Sequence, residues 1–88
     1  MKSKSRKPYY RDDAFLKAIG KRIREVRLKA GISQTELAFK CDDKDYSQIN
    51  RVELGKVNFS VSYLILISQA LGIKITDLIL DDLNNKNQ

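Results

Sequence analysis

Apolar residues in this chain recur at spacings of three and four, and no stretch alternates apolar with polar residues over the length of a strand. That periodicity commits the chain to helices, because it gathers apolar side chains on one stripe of a 3.6-residue repeat. Phe15, Ile19, Ile23, Val26 and Ala30 form such a stripe over residues 13–29. Asp12 or Asp13 can cap that helix, and Gly31 stands where a left-handed residue would end it. Ser33 with Glu36 three residues on is a capping box, so a second helix starts there and carries Leu37, Ala38 and Cys41 inward. Asp45 with Gln48 offers the same arrangement for a third helix, which runs to about Leu54 with Ile49 and Val52 facing in and Gly55 at its end. Ser60 caps a fourth, Val61–Leu71, whose inner face is Val61, Leu64, Ile67, Ser68 and Leu71 and which Gly72 closes. Thr76 caps a fifth, from Asp77 to about Leu83. The expectation is an all-α, compact five-helix domain over residues 12–83, between a flexible basic arm (1–11) and a polar tail (84–88).

Size and composition narrow the function. A chain of 88 residues buries only ~60% of the surface its unfolded form exposes, so its core has to be efficient. Hydrophobic residues at 42% and charged residues at 32% argue for a globular domain over a disordered one. No apolar run approaches the ~18 residues of a membrane span, and no hydrophobic stretch follows the basic N-terminus, so neither a membrane partner nor a secretory leader is expected. Cys41 is the single cysteine and reads as a small buried hydrophobe rather than a reactive thiol; lacking a disulfide partner, it fits a reducing cytoplasm. The absence of histidine excludes histidine-based zinc sites and triads. No paired carboxylates, metal-ligand cluster or phosphate-cradling glycine loop stands out, so no enzyme activity, metal or cofactor is expected.

Charge is concentrated at one end. Five of the 17 basic residues, Lys2, Lys4, Arg6, Lys7 and Arg11, fall in residues 1–11 with no acid among them, which accounts for most of the net charge of +6. Such a run reads either as an arm that attracts nucleic acid or as a solubilising terminus. The second and third helices are short and only three or four residues apart, which is the helix-turn-helix arrangement.

Residues 18–78 resemble the lambda-repressor-like, Cro/cI-type (Xre) helix-turn-helix domains. The resemblance rests on Ile19-Gly20-Lys21-Arg22-Ile23-Arg24-Glu25-Val26-Arg27, Gly31-Ile32-Ser33-Gln34-Thr35-Glu36-Leu37-Ala38, Ile49-Asn50-Arg51-Val52-Glu53-Leu54-Gly55-Lys56, Asn58 with Ser60, and Ala70-Leu71-Gly72-Ile73. It implies a DNA-binding regulator of transcription, usually a homodimer, working in the bacterial cytoplasm and associated with the nucleoid when bound. One stretch departs from the pattern. Where the family has a glycine and then an apolar residue, this chain has Asp42-Asp43-Lys44, one residue longer than expected, so the turn either bulges or the second helix runs on.

By the resemblance, the third helix enters the major groove, where every base pair has its own donor and acceptor pattern. Tyr46, Ser47, Asn50 and Arg51 are then the candidates for base contact, and Arg51 is suited to a bidentate pair with guanine. Gln34 is expected to reach a phosphate through its amide and the start of the second helix. Lys44, Lys56, Asn58 and Ser60 are further phosphate candidates. Arg27 and Glu53 match a basic and an acidic position that pair in the family; they are expected to fix the third helix, with Arg27 also in reach of a phosphate. Asp42 and Asp43 would repel phosphates and are expected to point away or to contact protein.

Tyr63, Ile65 and Leu66 lie off the inner face of the fourth helix, and Leu80 and Leu83 off that of the fifth. Apolar residues left outside a core usually mark an interface. Tyr63, Leu66, Leu80 and Leu83 are therefore the candidates for a homodimer patch, while Ile65 could instead cover the core. A two-fold dimer sets its recognition helices ~34 Å apart and needs a roughly palindromic operator. With no sensor domain in the sequence, control by concentration or by a protein partner is expected. The leading reading is a sequence-specific regulator that binds double-stranded DNA. Within it stand the controller protein of a restriction–modification system and the antitoxin of a toxin–antitoxin pair; from another class, a protein-interaction module without specific DNA binding.

Overall fold

The computed structural model describes residues 10–79. Four helices follow one another: α1 (Asp13–Lys29), α2 (Gln34–Lys40), α3 (Ser47–Glu53) and α4 (Val61–Leu71). A fifth, α5, starts at residue 75 and is helical to 79, the last described position. There is no strand among the described residues.

Local chemistry sets most boundaries. The Asp12 carboxylate accepts the Phe15 N–H at 3.0 Å and caps α1, so Asp12 and not Asp13 has that role. At α2 the box is complete: Ser33 Oγ accepts from the Glu36 N–H, and the Ser33 N–H donates to Glu36 Oε1. Ser60 Oγ accepts the Tyr63 N–H and starts α4. Gly31, Gly55 and Gly72 all adopt the left-handed conformation that stops a helix.

Two caps differ from expectation. Asp45 precedes the start of α3 by two residues: Tyr46 is the N-cap, without a side-chain bond, while Asp45 Oδ1 accepts the Ser47 N–H at 2.9 Å. This is an Asx-type turn leading into the helix. Helix α5 starts ahead of Thr76, because the Lys74 N–H donates to the Asp77 carboxylate and that bond closes its first turn.

Helix α2 does not run on into the turn before α3. Helix α2 stops at Lys40, Cys41 caps it, and Asp42 takes φ +61°. The Asp43 N–H then returns to the Ala38 carbonyl at 2.9 Å and the Asp42 N–H to Phe39 at 3.1 Å, the paired closure that usually relies on glycine. Aspartate is among the few side chains that tolerate this conformation.

The core sits where all five helices meet. Ile19, Ile23, Leu37, Ala38, Ile49, Val52 and Ile67 are fully buried, with Cys41, Leu64 and Leu78 nearly so. Burial pushes the Cys41 thiol up to about 11, with the charges of Asp43 and Asp42 adding to it. Leu16 joins this interior although the periodic stripe passed it over. Ala30 and Val61 do not: Ala30 is the exposed C-cap of α1, and Val61 points outward at the first turn of α4. Tyr63 and Leu66 are half-buried and pack against the core. Leu80 and Leu83 lie outside the described residues.

Candidate nucleic-acid interface

Helix α3 has two faces. Ile49, Val52 and Glu53 are buried. Ser47, Arg51 and Leu54 are exposed and Asn50 is half-buried, and their spacing of three, four and seven puts them in one outward row. Tyr46 stands at its head, about half exposed.

Helix α1 grips the inner face at backbone distance. A Cβ at Gly20 would fall 2.6 Å from the Glu53 carbonyl oxygen, and closer still to that of Val52. At Gly55, which ends α3 with φ +73°, a Cβ would fall 2.7 Å from the Lys17 Cα. Only glycine permits both approaches.

A polar chain completes the mounting. Arg27 Nε donates to Glu53 Oε2 at 2.6 Å and Nη2 donates to Oε1 at 3.1 Å, a bidentate pair whose members are each 6% exposed. Arg27 Nη1 donates to the Ile32 carbonyl at 2.9 Å, so one guanidinium joins α1, the loop before α2, and α3. It is buried, and it borders the groove that opens between α1, α2 and α3. Gln34 Nε2 donates to Glu53 Oε1 at 3.0 Å and to Asn50 Oδ1 at 3.3 Å. A carboxylate can only accept, so the amide nitrogen of Gln34 must face Glu53, and Asn50 must turn its oxygen to Gln34. Both amide hydrogens of Gln34, expected to meet a phosphate, are thus engaged inside the protein. Asn50 keeps its amide hydrogens for a ligand.

Between α1, the start of α2 and α3 lies an open groove of about 590 Å³, lined by Arg24, Gln34, Thr35, Tyr46, Asn50 and Leu54 among others. Arg24 and Thr35 are exposed there and were missed from the sequence. The signal existed: Arg24 precedes Arg27 by three residues and so shares its side of α1.

The remaining candidates are dispersed. Lys44 is exposed in the turn between two aspartates. Hydrogen bonds from the backbone and then the side chain of Ser47 hold the Asp45 carboxyl below its ordinary range, helped by Arg51. Lys56 is exposed after α3, and Ser60 is engaged as a cap. Asn58 Nδ2 donates to the Tyr10 carbonyl at 2.9 Å, and Arg11, Lys56 and Asn58 rim a hollow of about 370 Å³. Asp43 contacts protein, accepting from the Tyr63 hydroxyl at 2.6 Å.

A short outward-facing helix, set after a tight turn and clamped from behind, defines a helix-turn-helix reading head. Residues 23–78 match the helix-turn-helix family. The control protein C.BamHI of Bacillus amyloliquefaciens is 39% identical over 61 residues, which are 68% of this chain and 74% of that one. The restriction–modification controller protein C.AhdI of Aeromonas hydrophila superposes with a TM-score of 0.70 at 37% identity, over 74% of this chain and 97% of its own. The clp gene regulator ClgR of C. glutamicum gives 0.74 at 22% identity, over 81% and 91%, a likeness of fold. This chain belongs to the Cro/cI-type helix-turn-helix family and is a DNA-binding transcriptional regulator. No helix among the described residues is long and apolar enough to cross a membrane.

Proposed function

We propose that this protein reads a specific, roughly palindromic operator in double-stranded DNA as a homodimer in the bacterial cytoplasm, bound there at the nucleoid, and that it serves as the controller of a restriction–modification system. The observation that carries sequence-specific reading is the outward row Ser47, Asn50 and Arg51 on a helix immobilised by Arg27, Glu53 and Gln34. A fixed helix presents donors at fixed positions, which base discrimination needs, at ~1–3 kcal/mol per good bidentate contact. Arg51 is the exposed guanidinium of that row and the first choice for guanine. Tyr46 flanks it, and Arg24, Thr35 and Lys56 reach phosphates on either side. The controller role is supported by the likeness to two proteins named for it, one of which this chain covers almost end to end.

The +5 segment has a place in this reading. Its last residues are tied to the loop after α3 by the Asn58–Tyr10 bond, beside Lys56. In this reading the bases of residues 1–11 add phosphate contacts independent of sequence.

Selection of bound duplexes from a random pool, with Arg51→Ala alongside, tests the proposal. A palindromic consensus that degrades at one symmetric position in the variant supports it. No enrichment even at low salt refutes it and brings forward a protein-interaction module.

A further inference from the structure

Residues 42–46 connect the two helices of the motif and deliver the first turn of α3. That turn has little of its own to hold it. Tyr46 provides no side-chain cap, and the local bonds of Asp45 go only to Ser47, from its N–H and its hydroxyl. The connection also holds Asp42 at φ +61°, a conformation that favours glycine. Beyond its bonds to α2 and α3, the helices it joins, one hydrogen bond from a further element reaches the connection among the described residues: the Tyr63 hydroxyl donates to Asp43 Oδ2 at 2.6 Å. Tyr63 is well placed to act as a fixed post. Its N–H is held by the Ser60 cap, and its ring packs on the core. Burial and the bond to Asp43 raise its pKa, so the hydroxyl keeps its proton.

We propose that Tyr63 and Asp43 form a positioning pair that sets where the first turn of α3, and with it Ser47, Asn50 and Arg51, sits against a base pair. The pair replaces with a tertiary bond the local rigidity that a glycine turn would supply. This rests on the reading of α3 as the operator-reading helix. The connection has two ends: Asp43, tied to α4, and Ser47, the first residue of α3. Freeing Asp43 loosens the path to the reading row and leaves the Arg27–Glu53 clamp at the far end of α3 intact.

Two readouts on the full chain test it. Tyr63→Phe removes only the hydroxyl; Asp43→Asn keeps an acceptor for it and serves as the conservative rescue. The first readout is the ratio of affinities for the selected operator and for a random duplex of equal length. The second is amide hydrogen exchange by NMR, comparing residues 47–51 with the core of α1. Tyr63→Phe is expected to lower the ratio about three- to tenfold and to speed exchange at 47–51 beyond any change in α1, while Asp43→Asn stays within about twofold of the parent in both. An unchanged ratio overturns the proposal. Exchange that accelerates equally in α1 and α3 also overturns it, since that is plain loss of stability. If the parent protein selects no operator, the proposed function fails on its own, and the exchange pattern alone decides the positioning role.

Discussion

The buried pair Arg27–Glu53 makes a quantitative prediction. In Glu53→Ala the guanidinium, buried in the parent, keeps only the Ile32 carbonyl as a partner, and Gln34 loses one of its two acceptors. Breaking a buried pair by removing one member costs ~3–5 kcal/mol, because the other charge remains desolvated and unpaired. In a domain of this size each kcal/mol corresponds to ~4–8 °C in melting temperature, so Tm should fall by at least ~12 °C. Replacing both members with apolar groups of similar volume has a different consequence. Arg27→Met/Glu53→Met leaves no orphaned charge, and such replacements are neutral or stabilising by up to ~4 kcal/mol. Thermal unfolding followed by circular dichroism on both variants, with operator affinity measured well below Tm, separates fold from site. The double variant should recover most of the lost Tm and still bind its operator weakly, because Gln34 and Asn50 have lost the carboxylate that orients them. A Glu53→Ala shift below about 4 °C, or a double variant no more stable than the single, would refute this account.

Three further outcomes follow from the geometry. Gly20→Ala should destabilise by ~1–3 kcal/mol, as overpacking does, although alanine is the better helix former, because its methyl would meet the backbone of α3; urea midpoints equal to or above the parent's would contradict the close approach. Cys41, with a thiol pushed up to about 11, should react with iodoacetamide at pH 8 at least ~100-fold more slowly folded than unfolded, where the ordinary value of ~8.5 applies. Since the folded value is the higher one, the associated stability is intact below the unfolded value and is lost as pH rises toward 11, so Tm should decline over that window; a flat alkaline profile would count against it. Deleting residues 1–9 removes Lys2, Lys4, Arg6 and Lys7, and the log–log salt slope of DNA binding should become shallower by ~0.9 for each phosphate those bases neutralise. An unchanged slope would leave the segment a solubilising role only.

What the sequence revealed divides by distance along the chain. Caps made by neighbours three residues apart, such as Ser33 with Glu36 and Ser60 with Tyr63, were readable because the bond partners are local. So were the helix-ending roles of Gly31, Gly55 and Gly72. Asp45 was misplaced by one position because an Asx turn and an N-cap use the same residue types. Arg27 and Glu53 are 26 positions apart, and only the family likeness suggested that they meet. Periodicity placed Tyr63 outside the core because it sees one helix at a time; the turn that accepts its hydroxyl lies 20 residues away. Likewise, the acceptors of the Gln34 amide, Glu53 and Asn50, lie on a different helix, 19 and 16 positions away.

The brevity of α3 bears on how much information the protein can extract from a genome. Seven residues at ~1.5 Å each give a helix ~10 Å long, which runs beside about three base pairs at ~3.4 Å spacing. Three pairs distinguish about 64 sequences, and the two helices of the proposed homodimer about 4,000, against the ~10⁶–10⁹ competing sites of a genome. A chance match to so short an address recurs hundreds of times in even a small chromosome. For the proposed dimer, DNA between and beside the half-sites can supply the remaining discrimination, through stiffness and groove width read without touching a base.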